Sequence, residues 1–122
     1  MSKSEFKAAR EAIAAELKAA RADCGSLSAN AKDICMAKAA GREKVARADL
    51  DARHKPSETA YYRFRVARAD ADFSVAKEMC DDKAGNVRDV CMKEAKAAEV
   101  AAKADAKARM KTANVKARFG SS

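Results

Sequence analysis

Apolar residues recur every three or four positions in four long segments of this chain, and polar residues fill the positions between them. That spacing places the apolar residues on one face of an α-helix. Helices are therefore predicted over about 3–24, 31–54, 58–80 and 87–115. The break near residue 55 has a local cause, because Pro56 disfavours helical geometry in the residue before it. Ser57 is then well placed to cap the third helix.

The predicted inward stripes contain more alanine than large side chains. In the first helix the stripe is Phe6, Ile13, Leu17, Ala20 and Cys24. In the second helix it is Ile34, Ala37, Gly41, Val45, Ala48 and Ala52. In the third helix it is Tyr62, Val66, Ala69, Phe73, Ala76 and Cys80. In the fourth helix it is Val90, Ala97, Ala101, Ala104, Ala108 and Val115. Alanine buries little area, at roughly 25 cal/mol per Å², so the sequence predicts a thin core, with a close helix crossing at Gly41.

One segment occurs twice, and it contains all four cysteines. Cys24 and Cys35 have ten residues between them, as do Cys80 and Cys91, and the two copies are offset by 56 residues. When 32 residues from each starting cysteine are aligned, 13 are identical. The chain is thus predicted to be a single domain that duplicates a helical hairpin. The domain covers 1–122, with hairpin one at 3–55, hairpin two at 57–115 and a frayed tail at 116–122.

Asparagine and aspartate hold matching positions near the start of the second helix of each copy. We predict that they cap these helices, because asparagine accepts from free amides and aspartate favours the positive end of the helix dipole. The four residues are Asn30, Asp33, Asn86 and Asp89. Gly25, just past the first helix, suits a left-handed turn. Short turns make consecutive helices antiparallel, so the predicted fold is all-α, with two tandem disulfide-stapled hairpins in an up-down-up-down bundle.

Pairing within each copy joins cysteines that the turn already brings together. The predicted disulfides are Cys24–Cys35 and Cys80–Cys91, whose Cα atoms can approach within about 6 Å. Such bonds persist in oxidising compartments, which favours the periplasm or the cell exterior. A copper(I) site made of soft sulfur ligands is the alternative, although methionines near helix ends also serve as packing. Its candidate ligands are Cys35, Met36, Cys80, Cys91 and Met92.

The net charge is +8, from 26 basic and 18 acidic residues among 122. This balance favours anionic partners such as lipid headgroups, envelope polymers or nucleic acid, and it also suits a solvated mixed-charge surface. Between Lys93 and Arg118, eight basic and three acidic residues give a local net charge of +5. The candidate anion-binding residues there are Lys93, Lys96, Lys103, Lys107, Arg109 and Lys111. No apolar run approaches the roughly 20 residues that a transmembrane helix needs.

Two further features have both a functional and a structural interpretation. The stretch from Tyr61 to Arg68 interleaves aromatic residues with arginines, as in platforms that stack single-stranded nucleic acid. The alternative places Tyr62 and Val66 in the core, with the arginines outward. His54, the single histidine, is expected to be solvent-exposed at a helix end. No nucleophile with a nearby histidine, glycine-rich phosphate loop or Cys-x-x-Cys pair is present, so neither an enzyme nor a bound cofactor is predicted.

Three segments carry a family resemblance, namely Ala84 to Ala98, Lys44 to Leu50, and Lys116 to Gly120. They resemble small secreted Ala/Lys-rich helical proteins of Gram-negative bacteria with repeated Cys-x10-Cys hairpins, and the resemblance covers most of the chain. Such proteins are often labelled cell-envelope biogenesis proteins, without an established activity. The resemblance implies periplasmic export, oxidised cysteines and a cleaved leader that this sequence lacks, with Met1 as a replacement start. Members often carry a third hairpin where this chain has two, and the resemblance supplies no catalytic residues.

The expected function is that of a non-enzymatic periplasmic protein with a structural, interaction or stress-related role. It would contact anionic envelope components through its basic fourth helix. A copper(I) buffer and a nucleic-acid-binding helical protein are the alternatives, and export makes nucleic acid the poorer match. The alanine-rich stripes are compatible with either a monomer or a homodimer.

Overall fold

The structure is a computed structural model that describes residues 1–119, and within them it is all-α. The helices are α1 (Lys3–Cys24), α2 (Ala29–His54), α3 (Glu58–Cys80) and α4 (Gly85–Phe119). They run up-down-up-down, and each helix packs against its neighbours in the chain. The two disulfides link α1 to α2 and α3 to α4. The predicted fold class of two tandem disulfide-linked hairpins in a bundle is therefore confirmed.

Helix packing follows the order of the chain. The inter-helix contacts of the described residues join α1 to α2, α2 to α3, and α3 to α4. The two inner helices therefore have a packed neighbour on each side, whereas α1 and α4 have one neighbour each. This difference decides which faces of the terminal helices stay exposed.

Serine side chains cap two of the helices. Ser2 accepts a hydrogen bond from the backbone amide of Glu5, and the Glu5 side chain accepts from the amide of Ser2, which completes a capping box at α1. Ser57 accepts from the amide of Ala60 and caps α3, as predicted. Both helices begin and end within a residue of the bounds that the apolar period predicts.

The predicted caps of α2 and α4 are wrong, because both helices begin earlier than expected. The N-cap position of α2 is held by Ser28, so Asn30 lies inside the helix. Asn86 likewise lies inside α4, which begins at Gly85. Asp33 and Asp89 fall beyond the first turns of these helices, neither of which contains an acidic residue. The helix dipole acts mainly within that first turn.

The early starts have a backbone cause that repeats in both copies. Ala29 has φ +52° and Gly85 has φ +58°, and the two residues occupy equivalent positions 56 residues apart. A left-handed residue at this point redirects the chain into the helix. Gly25, expected to be the left-handed residue, is right-handed at φ −61°.

The core is thin and consists mainly of alanine. The largest fully buried side chain is Leu50, followed by Cys24 and Cys80. The remaining buried apolar residues are Ala39, Ala52, Ala67, Ala69, Ala95 and Ala106. Close approach compensates for small side chains at the centre of the α2–α3 contact. A Cβ atom added to Gly41 would lie 3.0 Å from the Cβ atom of Ala71, which confirms the predicted close crossing.

The inward stripe predicted for α4 is wrong. The buried residues of this helix are Ala95, Glu99 and Ala106, on the face that packs against α3. The residues of the predicted stripe are all exposed. In addition, α4 continues to Phe119, so residues 116–119 are helical where a frayed tail is predicted. Residues 120–122 of that tail lie outside the described residues.

Candidate functional site

The disulfides lie at the turns, where the duplicated sequence predicts them. Cys24 is bonded to Cys35, and Cys80 is bonded to Cys91, each with a Cα–Cα distance of 5.6 Å. In each pair, the cysteine that ends the first helix is fully buried. The predicted pairing is confirmed, and it indicates an oxidising compartment outside the cytoplasm.

In this structure the pairing leaves the copper(I) alternative without thiolate ligands. Copper(I) favours thiolate sulfur, and the described residues contain no free cysteine. The proposed ligand set of Cys35, Met36, Cys80, Cys91 and Met92 therefore lacks its thiolates. Met36 and Met92 are half-buried beside the disulfides, which is consistent with packing. No group of three or more His, Cys, Asp or Glu residues within 1–119 is arranged to hold a metal ion.

Asn30 joins the two hairpins instead of capping a helix. Its Nδ2 atom donates a hydrogen bond to the backbone carbonyl of Glu78, at 2.7 Å. That carbonyl belongs to the last turn of α3, where it also accepts a hydrogen bond from the backbone amide of Asp81 at 3.3 Å. The equivalent residue in the second copy, Asn86, is exposed at the start of α4.

A network of five charged residues connects α2, α3 and α4. Lys44 and Lys103 donate to the two carboxylate oxygens of Asp70, at 3.0 and 2.7 Å. Lys103 also donates to Glu99 at 3.3 Å, and Lys96 donates to the same carboxylate at 2.7 Å. We call Lys44, Asp70, Lys96, Glu99 and Lys103 the charge network. Glu99 is 8% exposed, so its charge depends on these lysines.

The charge network changes the ionisation of its members in a consistent direction. The hydrogen bond from Lys103 lowers the pKa of Asp70, and Lys44 adds to this effect. The hydrogen bond from Lys96 lowers the pKa of Glu99. In return, the hydrogen bond to Asp70 raises the pKa of Lys103. All of these shifts favour the charged forms, as expected of a network that holds helices together.

Sequence reasoning missed the carboxylates of the charge network, although the repeat contains a signal for one of them. Glu43 and Glu99 occupy equivalent positions, each followed four residues later by a basic residue. Both pairs form within their helices, as Glu43–Arg47 and Glu99–Lys103. The cross-helix position of Asp70 has no such signal, because it depends on how α3 sits between α2 and α4.

The six candidate anion-binding residues divide into two groups. Lys96, Lys103 and Arg109 form ion pairs with carboxylates of α3 or α4. The other three are exposed and take part in no ion pair with another described residue. They are Lys93, Lys107 and Lys111.

These three lysines share one side of α4 with the exposed apolar stripe. At about 100° per residue, the lysines and the apolar stripe together fall within a sector of roughly 120°, opposite the face that packs on α3. Three valines of this sector are more than half exposed: Val90, Val100 and Val115. We call this surface the outer face of α4, and define it as Val90, Lys93, Ala97, Val100, Ala101, Ala104, Lys107, Ala108, Lys111 and Val115.

The aromatic and arginine-rich stretch of α3 is largely integrated into the fold. Tyr62 and Val66 are half-buried, which favours the structural interpretation. The Arg68 guanidinium lies over the Phe64 ring, 5.9 Å from its centroid. Phe64 is therefore partly covered and is not a free stacking platform.

His54 is not the solvent-exposed residue that was expected. It is half-buried, and its ring stacks on that of Phe6 with the centroids 4.2 Å apart. This contact joins the end of α2 to the beginning of α1. It packs the end of hairpin one that lies opposite the disulfide.

Among the helices of residues 1–119, none combines the length and hydrophobicity that a membrane span requires. Comparison of the chain with protein-family models, curated proteins and solved structures found no match.

Proposed function

We propose that this chain is a non-enzymatic structural or interaction protein of the periplasm that contacts anionic envelope components. The outer face of α4 is the proposed contact surface. The observation that carries the proposal is the position of three ion-pair-free lysines beside exposed valines, on the side of α4 that no other helix covers. The disulfides support a periplasmic location, because they need an oxidising compartment.

The chemistry of this face suits an anionic surface that has an apolar layer beneath it. Lysine side chains can reach phosphate or carboxylate groups while their methylene stems lie along apolar surface. The valines between them can enter the boundary between headgroups and acyl chains. Each lysine near an anionic membrane contributes about 1 kcal/mol, so three together would contribute on the order of 100-fold in affinity.

The test is co-sedimentation of the oxidised protein with vesicles. Phosphatidylcholine vesicles containing phosphatidylglycerol are compared with pure phosphatidylcholine vesicles, and soluble lipopolysaccharide serves as a polymer arm. The triple variant K93Q/K107Q/K111Q removes the charges of the outer face. The matched control K3Q/K7Q/K18Q removes three exposed lysines of α1 that are also free of ion pairs with described residues.

We expect binding to one of the anionic probes that weakens between 50 and 500 mM salt, because charge attraction is screened. The outer-face variant should lose roughly 10- to 100-fold in affinity, and the control less than about threefold. An equal loss in both variants would show that net charge, and not this face, drives binding. Failure to bind either anionic probe at low salt would refute the proposal.

A further inference from the structure

An open groove runs between α2 and α3 on one side of the molecule. Its volume is about 710 Å³, within the range of small-molecule sites. The apolar lining comes from Val45, Phe64, Val75, Ala76 and Met79, together with the close Gly41–Ala71 contact. Because Gly41 and Ala71 lack bulk, the two helices meet without filling the space above their line of contact.

A second depression adjoins this groove on the far side of α3. It lies between α3 and α4, has a volume of about 310 Å³, and its charged lining consists of Arg65, Arg68 and Arg109 together with the carboxylates of Asp72 and Asp105. We call it the arginine pocket. Phe64 and Asp72 line both the groove and the arginine pocket, so the two meet at these residues. The apolar lining of the groove and the guanidinium groups of the arginine pocket are therefore neighbours on the surface, with the Asp72 carboxylate between them.

One of the arginines that line the arginine pocket has a donor without a partner among the described residues. The Nη1 atom of Arg65 is buried and has no hydrogen-bond partner among the described residues. A buried charged donor without an acceptor is costly, because it has lost its hydration without a replacement. Arg68 forms no ion pair with another described residue, while Arg109 is paired with Asp105 at 2.9 Å.

We propose that the groove and the arginine pocket together form a binding site for a long-chain amphiphile with an anionic head. The oxyanion of the head accepts hydrogen bonds from Arg65 and Arg68. The alkyl chain lies along Val45, Val75 and Met79, where it removes apolar surface from water. The head is either a phosphate or a carboxylate, since both match the planar donor pattern of arginine.

This site is separate from the outer face of α4 and does not rest on the proposed function. Arg109 is the one α4 arginine of the pocket, and it lies outside the outer face as defined. The opposite end of the groove carries Lys38 and Arg42. Those two side chains are exposed and hydrated, whereas Arg65 is half-buried and its enclosed Nη1 atom has no partner among the described residues.

Isothermal titration of the full oxidised chain tests the proposal with four probes below their micelle concentrations. Dodecyl phosphate and dodecanoate supply the two anionic heads, dodecanol lacks the charge, and inorganic phosphate lacks the chain. We expect one equivalent of dodecyl phosphate or dodecanoate to bind, with dodecanol and inorganic phosphate each weaker by about tenfold or more. If dodecanol binds as tightly as the long-chain anions, the arginine pocket does not contribute to binding. If inorganic phosphate binds as tightly as they do, the groove does not contribute. Either result would overturn the combined site.

Variants locate the bound head and chain. Arg65→Gln and Arg68→Gln should each weaken dodecyl phosphate binding by roughly tenfold. Arg63→Gln is the matched control on the same helix, because Arg63 is exposed and lines neither depression. Val75→Trp should fill the groove and weaken binding of both long-chain anions. If Lys38→Gln loses more affinity for dodecyl phosphate than Arg68→Gln does, the anionic head binds at the Lys38 end of the groove, and the assignment to the arginine pocket is overturned.

Thermal unfolding separates a ligand-binding role for Arg65 from a structural one. Without ligand, Arg65→Gln should match or exceed the melting temperature of the unsubstituted protein, because it removes the enclosed Nη1 donor that has no partner among the described residues. With saturating dodecyl phosphate, the unsubstituted protein should gain more stability than the variant. A variant that melts well below the unsubstituted protein without ligand would show that Arg65 serves the fold, and would overturn its role as a ligand donor.

Discussion

The left-handed residue at the start of α2 leads us to expect that one alanine-to-glycine substitution within a helix increases stability. Glycine in place of alanine ordinarily destabilises a helix, yet Ala29→Gly should stabilise this protein. Ala29 has φ +52°, a conformation in which its Cβ atom crowds the backbone. The second copy already has glycine at the equivalent position, where Gly85 has φ +58°.

The magnitude follows from two opposing terms. Relief of a left-handed non-glycine residue is worth roughly 1–2 kcal/mol. Glycine loses more backbone freedom on folding than alanine, which costs about 0.5–1 kcal/mol. Ala29→Gly should therefore raise the free energy of unfolding by about 0.5–1 kcal/mol. Gly85→Ala should lower it by a similar amount, and entirely through the backbone, since an added Cβ atom would meet nothing within 4 Å.

Urea unfolding followed by circular dichroism, with the disulfides intact, measures both effects. The matched control is Ala31→Gly, which lies two residues farther along α2, is exposed, and is not among the positive-φ residues. This control should lose about 1 kcal/mol. If Ala29→Gly destabilises the protein as much as Ala31→Gly does, the left-handed start of α2 is refuted. If Ala29→Gly raises the free energy of unfolding and Gly85→Ala lowers it, the two copies have equivalent turn geometry.

Three other perturbations test the packing. Gly41→Val should lower the free energy of unfolding by about 2 kcal/mol or more, because even a Cβ atom there would lie 3.0 Å from the facing helix. Urea unfolding, with the dependence of the free energy on urea concentration unchanged, measures this loss. A neutral result would contradict the close crossing. Asp70→Asn should lose about 1 kcal/mol at pH 7. The lowered pKa of Asp70 means that its carboxylate stabilises the fold at pH values above the ordinary aspartate pKa, and that this stabilisation is lost as the pH falls through the lowered pKa. The free energies of unfolding of the two proteins should therefore converge in acid. A difference that stays constant from pH 7 to 2 would contradict the charge network. Replacing Cys80 and Cys91 together by alanine should cost about 3 kcal/mol, measured by thermal melting, and a melting temperature within 2 °C would show that this bond does not restrain the unfolded chain.

The apolar period and the cysteine spacing predicted most of the architecture. The bounds of α1 and α3 follow directly from their stripes, because these helices start at serine caps and end at cysteines before short turns. The disulfide pairing follows from the turn, which leaves each cysteine one nearby partner. Gly41 signals the close α2–α3 crossing because a glycine within a helix has a cost that only packing offsets.

The starts of α2 and α4 could not be predicted in the same way. Left-handed geometry is expected of glycine, and in the first copy it occurs at Ala29, where the residue type gives no warning. Asparagine at the matching positions 30 and 86 then suggests a cap. In the fold, the Asn30 side chain reaches the end of α3 instead. Its partner lies 48 residues away in the sequence, so no local pattern identifies this contact.

The error in the α4 stripe has a physical explanation that also accounts for the proposed contact surface. In α2, Gly41 and Val45 lie on the side that faces α3, and their equivalents in α4 are Ala97 and Ala101. The face of α2 that packs on α1 includes Ala39, whose equivalent in α4 is the buried Ala95. The repeat therefore gives α4 two apolar faces, although it has only one neighbouring helix among the described residues. The more regular of these two faces dominates the apolar period of α4, and it is the exposed one. The pattern that misleads a prediction of the core thus marks the same exposed face of α4, with lysines beside it, that we propose as the contact surface for an anionic partner.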